Sequence, residues 1–318
     1  MNGTVGPATD AGQGAPANGA GRGGQGSLAA PRALILADAL VEAPGADLGA
    51  DDLAHLRDDL ARELHAVVGD LPAGERLQMD AYKMRVARRH PERCMDAGDT
   101  FTPTPRHCRR AVGTAAVRLC VRGLAPGPAA AVADVLAAGV ADVEDVPGAD
   151  ATRPQWWAGW YAGLPRGAQA VVRAEAVAWA TQLLTALDWG RFPRLPVIGG
   201  RDDWWQCPGG RQLVLQGRAD VRVPSGRRLA LLAMQTGRCP SDWRMELGYP
   251  GLVAALVRDA TAAPCRVVGV WPDSGQVRVL PLDLGALRHV ATAVVSAVAT
   301  WVDSRIEVRH LAEVRSSA

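Results

Sequence analysis

The stretch Arg211–Gly237, RQLVLQGRADVRVPSGRRLALLAMQTG, decides how the chain is read. Side chains of a β-strand point alternately to its two faces. From Leu213 onward, Leu213, Leu215, Ala219, Val221 and Val223 therefore share one face, and Gln216, Arg218, Asp220 and Arg222 share the other. Pro224-Ser225-Gly226 supplies turn chemistry, after which Leu229–Gln235 reads as a second, apolar strand. The expectation is a β-hairpin with one face for a core and one polar face centred on Asp220.

Around this hairpin, Leu195–Ile198 before Gly199-Gly200 reads as the first core strand, with Asp202, Asp203, Trp204 and Trp205 in a loop or at an edge. Gly167–Trp189 reads as a long helix, because Val172, Ala176, Trp179, Leu183 and Leu187 recur at spacings of three and four. Glu175 falls on or beside that apolar stripe, as a functional acid or as a boundary glutamate reaching for solvent. Downstream, about Ser241–Arg258 forms a helix anchored by Trp243, Leu247, Leu252 and Leu256, with Glu246 near its start and Pro250 as a kink. Arg266–Trp271 and Gln276–Leu280 make a second hairpin around Pro272-Asp273-Ser274-Gly275, and a helix from Leu284 to about Val302 closes the chain.

The N-terminal third is helical in character. Residues 1–27, rich in Gly, Ala and Pro, cannot bury enough apolar surface to offset chain entropy and are expected to be a disordered tail. Ala33–Val41 is a short apolar segment of undecided type. Asp51–Val68 carries Leu53, Leu56, Leu60, Leu64 and Val67 at helical spacing. Glu75–His90 reads as a further helix ending before Pro91, since proline disfavours helical geometry in the preceding residue. Its end carries Lys83, Arg85, Arg88, Arg89 and His90. A second basic group, Arg106, His107, Arg109 and Arg110, opens a helix running from about Arg109 to Val121. These two clusters suit phosphate contacts or, equally, a solvated helix end. Ala129–Val143 is a small-residue helix and Asp145–Pro154 a linker. Trp156, Trp157, Trp160 and Tyr161 then form an aromatic cluster that suits base stacking or a core anchor.

Gly217-Arg218-Ala219-Asp220, a turn, an apolar strand and then Gln235-Thr236-Gly237 resemble the motif of the RecB-like branch of the PD-(D/E)XK nuclease superfamily. Glu246, Leu247 and Tyr249 approximate that family's helix after the second strand. The resemblance implies a restriction-endonuclease-like core over residues 108–318: an α+β domain with a central mixed β-sheet flanked by helices. A helical N-terminal region, 28–107, would precede it. In an intact family member, two carboxylates hold Mg²⁺ against the scissile phosphate and a lysine stabilises the developing charge. Here the first acid corresponds to Asp220, the second to Ala233, and the lysine to Gln235. A surviving metal site would need Glu175 or Glu246 to stand in beside Asp220. Arg218 and Arg222 flank Asp220 at strand spacing and compete with a cation there.

Bulk properties set the remaining bounds. Net charge is only +2, so there is no global polyelectrolyte signature, and Lys83 is the only lysine. Lysine-dependent chemistry is therefore excluded from the C-terminal half. Six scattered cysteines, without a C-x-x-C pair, read as reduced thiols of a cytoplasmic protein. They lack the late trio of the iron–sulfur cluster that some RecB-like nucleases carry. No uninterrupted apolar run approaches the roughly 18–20 residues that span a bilayer, so no membrane association is expected.

The sequence supports first a catalytically degenerate nuclease-fold protein, without a cofactor, that binds nucleic acid or serves as a scaffold subunit. Its partners would be DNA, an active nuclease or another protein subunit. Arg218, Arg222, Arg88, Arg89, Arg106, Arg109 and Arg110 are the candidate phosphate contacts. The alternatives are a divergent Mg²⁺-dependent DNA nuclease, using Asp220 and Gln235 with Glu175 or Glu246, and a non-enzymatic protein-interaction domain.

Overall fold

A computed structural model describes residues 39–40, 48–71, 74–95, 104–144, 156–192, 194–199, 202–208, 212–225 and 228–317. The expected tail at 1–27, most of Ala33–Val41, and the linker at 145–154 lie outside the described residues. In chain order the elements are α1 (Ala50–Val68), β1 (Leu77–Met79), α2 (Ala81–Arg89), α3 (Pro105–Val121), α4 (Pro128–Glu144), α5 (Trp156–Ala162) and α6 (Arg166–Ala186). There follow β2 (Val197–Ile198), β3 (Asp203–Gln206), β4 (Leu213–Gly217), β5 (Val221–Ser225), β6 (Arg228–Met234), α7 (Trp243–Leu256), β7 (Pro264–Trp271), β8 (Gln276–Pro281) and α8 (Leu284–Ser317). The fold is α+β, with two mixed sheets and helices against them.

The larger sheet has the order β2-β5-β6-β7-β8. Its neighbours are antiparallel except for β6 and β7, which run parallel and are joined by α7 as the crossover. Strict alternation along the central strands gives the sheet two buried faces. Leu231, Ala233, Val267 and Trp271 join a core with α1, α2, α7 and α8, whereas Ala230, Leu232, Met234, Val268 and Val270 join a second core with α3, α4 and α6. A parallel pair buried on both faces reads as a nearly continuous apolar run, which is what LALLAM and VVGVW are.

The expected hairpin is present over β5 and β6, but its first strand does not continue back to Leu213. β4 belongs to a smaller sheet, β1-β4-β3. The chain leaves that sheet after Gly217, passes through Arg218-Ala219-Asp220 and enters the larger one at Val221. Gly217 permits this because α7 presses on it: a Cβ there would lie 2.7 Å from Val253 Cβ. Gln216, Arg218, Asp220 and Arg222 therefore do not share one strand face. They are divided between β4, the bend and β5.

The N-terminal region is not purely helical. Leu77–Met79, expected at the start of a helix, pairs in parallel with β4, and Asp80 then caps α2 by accepting a hydrogen bond from the Lys83 N–H at 2.8 Å. The tie is reinforced by the Tyr249 hydroxyl, which donates to Met79 O at 2.6 Å. α3 begins earlier than expected, at Pro105, because Thr104 supplies an N-cap and proline suits the first helical position. α8 runs 34 residues, well past the expected end at Val302. By length and composition its Leu284–Val314 segment could cross a bilayer, a test that a buried core helix also passes. In this fold Leu287, Val290, Val294, Val298, Trp301 and Val302 are buried in the first core.

Candidate functional site

Asp220 closes the bend between the two sheets. Its backbone N–H donates to Leu232 O at 2.9 Å, and its carbonyl accepts from the Gly199 N–H at 2.6 Å. The residue is 2% exposed. One carboxylate oxygen accepts a hydrogen bond from Arg110 Nε at 2.8 Å, and the other accepts from the Met234 N–H at 2.7 Å. A buried charge is tolerated when it is paired and hydrogen-bonded, and Asp220 meets both conditions within its own chain. The Arg110 guanidinium also sits 5.9 Å from the centre of the Trp179 ring on α6, which holds it in place.

The other candidate ligands lie elsewhere. Glu175 pairs with Arg109 at 3.4 Å. Glu246 pairs with Arg85 at 3.0 Å and with Arg89 at 3.1 Å, across the α2–α7 contact. Ala233 is buried in the first core and offers no ligand atom. Gln235 follows β6, half-buried, with its N–H donated to Val270 O at 2.8 Å. Among the described residues, no group of three or more His, Cys, Asp or Glu side chains is placed to hold a metal ion. The residues at Asp220 do not fit Mg²⁺, which is usually held by carboxylates together with substrate phosphates. An ion entering there would have to stand against the Arg110 guanidinium.

Apart from Arg109, which is paired with Glu175, the nominated arginines fall into three groups. Arg222, 8% exposed, bonds to Gly199 O at 3.0 Å and to Asp203 at 3.2 Å, and Asp203 also receives Arg258 at 2.6 Å. This buried three-membered network joins the two sheets to the end of α7. It takes Arg222 out of the set that can meet a ligand. Arg88 and Arg89 both bind Asp242, Arg88 at 3.1 Å. Burial pushes the Asp242 carboxyl up, but the hydrogen bond and charge of Arg89, with Arg88 beside it, carry it below the ordinary value. These two arginines fasten α2 to α7.

Arg106, Arg110 and Arg218 form the third group, with His107. Each of these three arginines acts on His107 through its charge, and Arg110 ties α3 to the 218–220 bend through Asp220. His107 Nδ1 lies 3.0 Å from Thr104 Oγ1. Burial lowers the His107 pKa, and the charges of Arg106, Arg218 and Arg110 lower it further against the weaker pull of Asp80. Burial and like-charged neighbours also lower Arg106 and Arg218. This is a concentration of positive charge in a chain whose net charge is nearly zero.

The sequence named Asp220 and most of these arginines but missed their pairing. Asp203, read as a loop or edge residue, turned out to hold two arginines. Nothing in a linear pattern marks an ion pair whose members are 110 or 19 residues apart. The aromatic cluster is accounted for in part by packing: Trp157 is 5% exposed and lies against Gly139 of α4, where a Cβ would come within 2.4 Å of its ring. Cys108 is likewise buried, and its thiol is pushed up to about 12, far from a reactive thiolate. No family model matches the chain, and no curated protein matches it significantly.

Proposed function

We propose that the chain is a catalytically degenerate nuclease-fold protein of the RecB-like PD-(D/E)XK type, which binds nucleic acid through arginines without hydrolysing it. The observation that carries this reading is the state of Asp220. The residue in the place of the first metal ligand is buried, and both its oxygens are occupied by Arg110 and Met234. Ala233 adds to it, because the position of the second acid has become part of the core. The fold part is supported by the hairpin β5–β6, followed by α7, in a mixed sheet between helical layers. The binding part is supported by the cluster at the start of α3, because arginine matches phosphate geometry in a bidentate way.

The test is a pair of measurements on the full-length protein. Binding to a labelled DNA duplex and single strand is measured at 50 and 200 mM salt. Three phosphate contacts imply a slope of about −2.7 and an affinity loss of about 40-fold over that interval on duplex DNA. No binding, or binding without a salt slope, removes the nucleic-acid reading and leaves a protein-interaction domain. Cleavage in Mg²⁺ or Mn²⁺ that disappears in Asp220→Ala would establish the nuclease instead.

A further inference from the structure

The small sheet turns one face into the first core and presents the other outward. Leu77, Met79, Leu213, Leu215 and Trp205 pack inward. Strand alternation sends Gln78, Gln216 and Trp204 to the opposite face. The register sets Trp204 directly across from Gln216. A row of hydrogen bonds crosses that face: Gln78 Nε2 donates to Gln216 Oε1 at 2.5 Å, and Gln216 Nε2 donates to Asp202 at 2.5 Å. Arg218, just past the end of β4, reaches the same Asp202 at 3.8 Å, with nearly half of its side chain exposed. Trp204 is 51% exposed on this face, and Tyr82, 61% exposed, stands in the first turn of α2, directly after β1. Among the described residues these are the two aromatic side chains that are more than half exposed.

We propose that this face binds single-stranded nucleic acid, stacking unpaired bases on Trp204 and Tyr82 and holding the backbone with Arg218. The proposal rests on the nucleic-acid function proposed above and names its substrate class. An open indole or phenol ring stacks on any base, but a base inside a duplex already has both of its faces covered. β1 and β3 are two strand spacings apart, about 10 Å, so each ring takes a separate base. Trp204 lies on an edge strand, where a strand of nucleic acid can approach from the side. Gln78 and Gln216 keep amide donors and acceptors beyond those spent on the row, and these suit base edges. Arg218 decides for a charged strand over a neutral ligand. Its guanidinium is partly open and stands at the far limit of an ion pair, and a phosphate offers it bidentate contact.

The experiment measures binding of the full-length protein to three probes of equal length: an oligothymidylate, an abasic single strand and a duplex. Oligothymidylate should bind more tightly than the abasic strand. Trp204→Ala should weaken oligothymidylate binding at least about fivefold, the lower end of one base–aromatic stack, and leave the other two probes unchanged. Trp204→Phe should restore most of the loss, because an aromatic face is kept, which separates stacking from a folding defect. Trp204→Ala combined with Tyr82→Ala should bind oligothymidylate and the abasic strand alike. Equal weakening on all three probes, or none on oligothymidylate, overturns the proposal and leaves the nucleic-acid function standing. No binding to any of the three removes that function and the proposal together.

Discussion

Asp220 is held in place by Arg110 and by a main-chain N–H, so its substitution tests what the residue does now. Asp220→Ala would leave the partly buried Arg110 and the Met234 N–H without their acceptor, at an expected cost of about 2–4 kcal/mol. Denaturant unfolding measures this, and the loss should be the same with and without Mg²⁺. A metal ligand would behave differently, with stability in the parent protein rising as Mg²⁺ is added. His107 carries a second prediction. Its pKa in the folded protein lies below the ordinary 6.5, so the unfolded chain binds the proton more readily. Its contribution should therefore make the protein more stable as pH rises through the interval below 6.5, and His107→Gln should flatten that rise in urea midpoints measured against pH. Sequence alone singled out Asp220 through the local motif Gly217-Arg218-Ala219-Asp220, although the residue lies in a bend and not on the strand face that alternation implied. It did not identify Arg110 over Arg109 as the partner, since that choice depends on how α3 is rotated against the sheet.

Helices were the most legible elements. The leucine spacing of α1 gave its extent to within one residue, and α6 followed the stripe from Val172 to Leu183. The three-residue strand β1 escaped notice because LQM has no alternation long enough to stand out from the helix beside it. The break between β4 and β5 was hidden for a different reason. Residues 215–223 alternate between small or apolar and polar side chains straight across the break, and the pressure of α7 on Gly217 marks where the chain changes sheets. Gly217→Ala should accordingly cost about 1–3 kcal/mol, because its new methyl meets Val253 and the helix must shift. A thermal unfolding comparison checks it. A change near zero would mean that the bend is tolerant and that Asp220 is positioned by its hydrogen bonds alone.

At the scale of the molecule, α8 divides into a buried half and a projecting one. Trp301 is 1% exposed and donates its indole N–H to Lys83 O at 3.1 Å, whereas Ile306, Val308, Leu311 and Val314 are all more than 40% exposed. Ending the chain after Arg305 should change stability by no more than about 1 kcal/mol. Ending it after Thr300, which removes Trp301 and Val302, should cost about 4 kcal/mol or more. Chemical denaturation of the two truncations separates these outcomes. The pairing of β1 with β4 bears on how the protein is made. Leu77 pairs with Leu213, and Met79 accepts its hydrogen bond from Tyr249. At synthesis rates of about 5–20 residues per second, β1 leaves the ribosome roughly 7–27 s before its partner strand exists. During that interval the leucine stripe of α1 has neither α8 nor β4 to cover it. The newborn N-terminal third thus carries an uncovered apolar stripe until the C-terminal elements emerge to pack on it.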